Sequence, residues 1–90
     1  MSFAPKLMFR GITRALFKRL QKKAKQNGLQ VIEPTGEAVK DGVRIQWNYD
    51  AEREVLELQC VKTPFWIDAA RVQKRLRQEV ESTLGSSRAA

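Results

Sequence analysis

The sequence predicts a single small α+β domain in two layers. The expected order is a helix, a three-stranded antiparallel meander and a second helix, with both helices on one face of the sheet. Three observations predict it. Apolar residues recur at helical spacing early and late in the chain, they alternate with polar residues in the middle, and turn chemistry separates the segments. Ninety residues suit one domain with its own core, and the 42% hydrophobic and 30% charged fractions are those of ordinary globular chains. The domain is expected over residues 1–84, with 1–11 an arm or an irregular helix start and 85–90 a flexible tail.

The first helix is read within residues 5–27. Pro5 suits an initial turn, where its missing N–H costs nothing, whereas Gly11 weakens the pattern by about 1 kcal/mol. The helix therefore starts at Pro5 or, after an arm, near Ile12. At about 100° per residue, Met8, Phe9, Ile12, Ala15, Leu16 and Leu20 share one face. Lys6, Arg10, Arg14, Lys18 and Lys22 recur every four residues on the other, with Phe3, Leu7 and Phe17 among them. Asn27-Gly28 supplies the left-handed residue that ends helices.

The strands follow. Residues 29–33 form a short strand candidate stopped by Pro34-Thr35-Gly36, and extended chain resumes over 37–40. Asp41-Gly42 is a two-residue hairpin signal. Val43, Ile45, Trp47 and Tyr49 then alternate with polar residues, a turn covers 50–53, and Leu56, Leu58 and Cys60 face inward on the next strand. The two strands 43–49 and 55–61 are predicted to pair. Thr63-Pro64 or Asp68 starts the last helix, whose stripe is Phe65, Ala69, Val72, Leu76, Val80 and Leu84, with Gly85 as its stop.

Charge is distributed unevenly. Eight basic side chains precede the first acid, Glu33, while the remainder holds nine basic and ten acidic ones. The net +7 is thus a property of the first segment. Solvated helix faces usually mix signs, because an acid four residues before a base stabilises the helix. An unmixed ladder points instead to an anionic partner. Lys6, Arg10, Arg14, Lys18, Lys22 and Lys25 are the candidate contacts, with nucleic acid placed just ahead of an anionic membrane surface. Phe17 and Trp66, off their core stripes, are candidate contact residues as well. The competing reading is a protein-interaction or structural subunit, possible as a homodimer, whose basic helix docks on an acidic protein partner. A carrier with an apolar cleft between helices and sheet is a third.

Composition excludes much catalytic chemistry. Without histidine there is neither a His-activated nucleophile nor a usual zinc site, and no Gly-rich phosphate loop is present. The acids Asp50, Glu52, Glu54 and Glu57 occupy turn and exposed-strand positions. Cys60 is read as a core residue, and one cysteine fits a reducing compartment such as the cytoplasm. The expectation is a non-enzyme without cofactor or metal. The Arg-rich start is too poor in Ser for a presequence and has no uninterrupted apolar core for a secretory signal.

The helix–strand–strand–strand–helix order over residues 12–84 resembles the double-stranded-RNA-binding domain in topology. That family starts its second helix with lysines, where this chain reads Lys62-Thr63-Pro64-Phe65-Trp66-Ile67-Asp68. No residue role carries over.

Overall fold

A computed structural model describes residues 5–88, with side chains described as far as Gly85. Phe3 and residues 89–90 of the expected tail lie outside the described residues. The elements are β1 (Leu7–Arg10), α1 (Arg14–Gln26), β2 (Thr35–Lys40), β3 (Val43–Asp50), β4 (Val55–Lys62) and α2 (Ala69–Arg88). The four strands form one antiparallel sheet in the order β1-β4-β3-β2. The α+β class is as predicted. The strand count is corrected from three to four.

The extra strand comes from the segment read as arm or helix start. Leu7 and Phe9 alternate with Met8 and Arg10, and they pair opposite Leu58 and Leu56 of β4. Period two over four residues is easily hidden inside a longer helical pattern. Gly11, at φ 76°, then turns the chain, and the side chain of Thr13 accepts from the Leu16 amide at 3.2 Å to cap α1. At its other end α1 stops where the sequence indicates. Gly28 takes φ 82°, and the amides of Gly28 and Leu29 donate to the carbonyls of Lys25 and Ala24, a Schellman closure.

The strand proposed at 29–33 is irregular chain instead. The carbonyls of Val31 and Ile32 are taken by the amide of Gln21 on α1, so they are not free to join a ladder. β2 begins at Thr35 and runs through Gly36, so the stop expected at 34–36 is corrected. Gly36 sits opposite Trp47, and a Cβ there would lie 3.0 Å from the indole, so the glycine makes room for that ring. Asp41 and Gly42, both at positive φ, form the two-residue turn between β2 and β3 as predicted. β3 and β4 pair as expected, from Asp50 opposite Val55 to Arg44 opposite Lys62.

Both helices cover the same face of the sheet. Phe17 of α1 and Val80 of α2 meet Phe9, Trp47, Tyr49 and Leu56 in one buried cluster, and Cys60 packs with Ala69 in a second. The other face is polar: Glu37 meets Arg44 and Gln46, Asn48 meets Thr35 and Glu57, and Lys6 meets Glu57. One face buried and one wet is the arrangement the alternation predicts. Gln73, buried on α2, ties the layers together by accepting from the Cys60 amide and donating to the Pro5 carbonyl.

α2 starts after Asp68, whose carboxylate accepts from the Ala70 amide at 3.0 Å. Phe65 therefore precedes the helix rather than joining its stripe. The expected stop at Gly85 is also corrected: the helix continues through it to Arg88. A glycine costs a helix about 1 kcal/mol but does not forbid one.

Candidate anion-binding surface and interhelical cleft

The charge asymmetry seen along the chain becomes an asymmetry between layers. The two helices carry eleven basic and two acidic side chains, while the rest of the chain carries six basic and eight acidic ones. The helical layer is thus +9 and the remainder −2. α1 itself contains no acid. Among the described residues Arg14, Lys18, Arg19, Lys22 and Lys25 form no ion pair with a carboxylate.

The predicted ladder is broken by the fold. Arg14, Lys18, Lys22 and Lys25 stand exposed along the outer arc of α1, as expected. Lys6 and Arg10 do not join them. Lys6 pairs with Glu57 on the open face of the sheet, and Arg10 alternates with the buried Phe9, so it points to that same face. The four-residue spacing was carried across a strand that has no helical phase.

Phe17, proposed as a contact residue, is a core residue. Its ring stacks on Tyr49, and with Leu20 and Ala24 it lines the inner arc of α1. Once the wheel is drawn from Arg14 alone, Phe17 falls within ~60° of Leu20 and ~20° of Ala24. Including Met8, Phe9 and Ile12 had rotated the apparent apolar face away from it. Ala15, placed on that face, is exposed.

Trp66 is exposed as its off-stripe position suggests, at 70%, and its neighbour Phe65 is 97% exposed. The two rings meet edge to face at 5.0 Å in the loop between β4 and α2. This loop shares one end of the sheet with the C-terminus of α1. Lys40, beside the β2–β3 turn, donates to the Asn27 carbonyl, and Lys62 at the end of β4 pairs next to that turn. Lys62 and Arg44, together with Asp41, share a shallow surface with Trp66 there. The signal for Phe65 was legible: Asp68 is the better cap, which leaves residues 65–66 outside the helix.

The helices meet where Lys23 reaches Glu79 at 3.1 Å and the Thr83 hydroxyl at 3.4 Å. Beside this contact, with Lys23 and Glu79 on its lining, an apolar cleft of about 520 Å³ opens between α1, α2 and the inner face of the sheet. Leu20, Leu29, Ile45, Trp47, Val72 and Leu76 line it. It separates the two buried clusters, and most of its aliphatic walls are only half-buried.

Hydrogen bonds from Lys23 and Arg75 hold the Glu79 carboxyl below its usual range, although partial burial opposes them. Burial pushes the Cys60 thiol up and keeps it from being a thiolate nucleophile. Asp50 accepts from the amides of Glu52 and Arg53 and so shapes its turn. Among the described residues no group of acidic or cysteine side chains could hold a metal ion, and no helix is long and apolar enough to cross a membrane.

No known protein family matches the chain. No curated protein and no solved structure is significantly similar to it.

Proposed function

We propose that this chain is a non-enzymatic binding module that docks its helical layer on a polyanion. The observation that carries this reading is the +9 of the two helices against −2 elsewhere. A uniformly cationic arc on α1 opposes helix stability by a few tenths of a kcal/mol per like pair, which a partner's charge would reverse.

Of the two polyanions expected, an anionic membrane surface is the better fit. Phe65 and Trp66 are exposed at the end of the sheet where Arg44 and Lys62 lie beside Trp66, and such an apolar pair next to cations suits the lipid headgroup boundary. Nucleic acid would use the same cations and could stack on Trp66, so it is the alternative outcome of the same experiment.

Sedimentation with vesicles of neutral or mixed anionic lipid, beside titration with a mixed-sequence oligonucleotide, tests this. The expected result is binding to anionic vesicles that weakens with salt, and that Phe65→Ser with Trp66→Ser greatly reduces. Salt-sensitive binding to the oligonucleotide alone would move the assignment to nucleic acid. Binding to neither would leave a protein-interaction subunit, for which the acidic partner or second copy would then be sought.

A further inference from the structure

We infer that the interhelical cleft is a binding site for a single aliphatic chain ending in an anion, a long-chain carboxylate. Its volume of about 520 Å³ lies within the ~300–1,000 Å³ typical of small-molecule sites, which are mostly apolar with a few convergent polar groups. The walls supply the apolar part. Leu20, Leu29, Val72 and Leu76 are each half-buried, and the surface they still expose faces this space. An aliphatic chain laid along them would take that surface out of water.

Polar groups reach the lining from beside the β2–β3 turn and from the first turn of α2. Two cations there lack a carboxylate among the described residues. Lys40 donates only to the Asn27 carbonyl, and Arg71 has no acidic partner. By contrast, Lys23 and Arg75, also on the lining, share Glu79 and are compensated. Asp41 lies at the same end and still leaves it net positive. An ammonium and a guanidinium above an apolar chamber match a carboxylate on an aliphatic tail. A neutral chain would leave that end without a carboxylate for Arg71, and a cationic one would be repelled.

The site is also placed for exchange with a lipid surface. Ile67 lines the cleft and follows directly on the exposed Phe65 and Trp66. Binding of a free carboxylate requires no membrane, so it stands or falls apart from the docking reading above.

The test uses the whole chain and titrates dodecanoate, dodecanol and acetate below micellar concentrations. Heat is the first readout. The second is the fluorescence of Trp47, which lines the cleft and becomes the only indole in a Trp66→Phe background. Dodecanoate is expected to bind one per chain and shift the Trp47 emission, dodecanol to bind at least tenfold more weakly, and acetate not to bind. Lys40→Gln with Arg71→Gln should lower dodecanoate affinity about tenfold or more, as loss of a charge-assisted contact does, and leave dodecanol unchanged. Leu76→Trp should block both chains, with a thermal melt confirming that it folds. Absence of saturable dodecanoate binding to the unsubstituted chain overturns the site. Equal affinity for acid and alcohol, unmoved by the double substitution, overturns the anionic head group.

Discussion

The ring of Phe17 on α1 lies flat against that of Tyr49 on β3, their centroids 4.1 Å apart and their planes 14° from parallel. The Tyr49 hydroxyl continues past this stack to donate to the Ile12 carbonyl at 2.7 Å. One side chain of the sheet thus holds both the first helix and the turn that launches it. Burial raises the Tyr49 phenol's pKa, so the donor keeps its proton.

Truncating this rung should be costly. Phe17→Ala removes a buried ring and is expected to lower stability by about 3–5 kcal/mol, whereas Phe17→Leu should cost clearly less. Tyr49→Phe keeps the stack and orphans the Ile12 carbonyl, a loss of about 1–3 kcal/mol. Urea unfolding of the three variants measures the order. If Phe17→Ala melted like an exposed substitution, Phe17 would belong to the contact surface after all.

The outer arc of α1 should behave in the opposite way. Arg14→Gln, Lys18→Gln and Lys22→Gln all change exposed side chains, so stability should change by no more than about 0.5 kcal/mol each. Binding to anionic vesicles should weaken and lose part of its salt dependence. Arg10, four residues before Arg14, points to the other face of the sheet, and Arg10→Gln should leave vesicle binding unaffected. Comparable losses from both variants would show that the open sheet face takes part as well.

Acid should loosen the contact between the helices. Glu79 is stabilised as a carboxylate by Lys23 and Arg75, so its folded pKa lies below the unfolded value near 4.5. Its contribution is complete above that unfolded value and is lost as pH falls through the lower, folded one. Because both bases and the acid are partly exposed, the effect should stay below about 1 kcal/mol. Thermal melts from pH 6 to pH 2 should show a decline that Glu79→Gln makes shallower. An identical pH profile in the variant would rule out this pair as a source of acid sensitivity.

Cys60 offers a simple probe of global opening. It is fully buried, and its thiol is held protonated by that burial. A disulfide reagent at mildly alkaline pH should react with it slowly in the folded chain and at once in denaturant. Immediate reaction of the folded chain would mean that the seam between β4 and α2 opens locally.

Much of this architecture was legible in local chemistry. The Asn27-Gly28 closure, the Asp41-Gly42 turn, the alternating strands β3 and β4 and Asp68 as one of two starts for α2 each depend on a few neighbouring residues. Their backbone preferences act over one turn of chain, so reading in order recovers them. The α+β class and the concentration of charge in the first helix were accessible for the same reason.

What packing alone settled is of a different kind. Leu7–Arg10 becomes a strand because β4 presents an edge for it, and four alternating residues are too few to announce that by themselves. That one assignment resets the phase of α1, which moves Phe17 from the surface into the core and sends Lys6 and Arg10 to the opposite face. Residues 29–33 lose their ladder because Gln21 claims two of their carbonyls from across the fold. The cleft, too, exists only because two helices that touch at Lys23 and Glu79 are set together over the sheet. Pairing, phase and cavity are relations between segments distant in sequence, and their energies are decided when those segments meet.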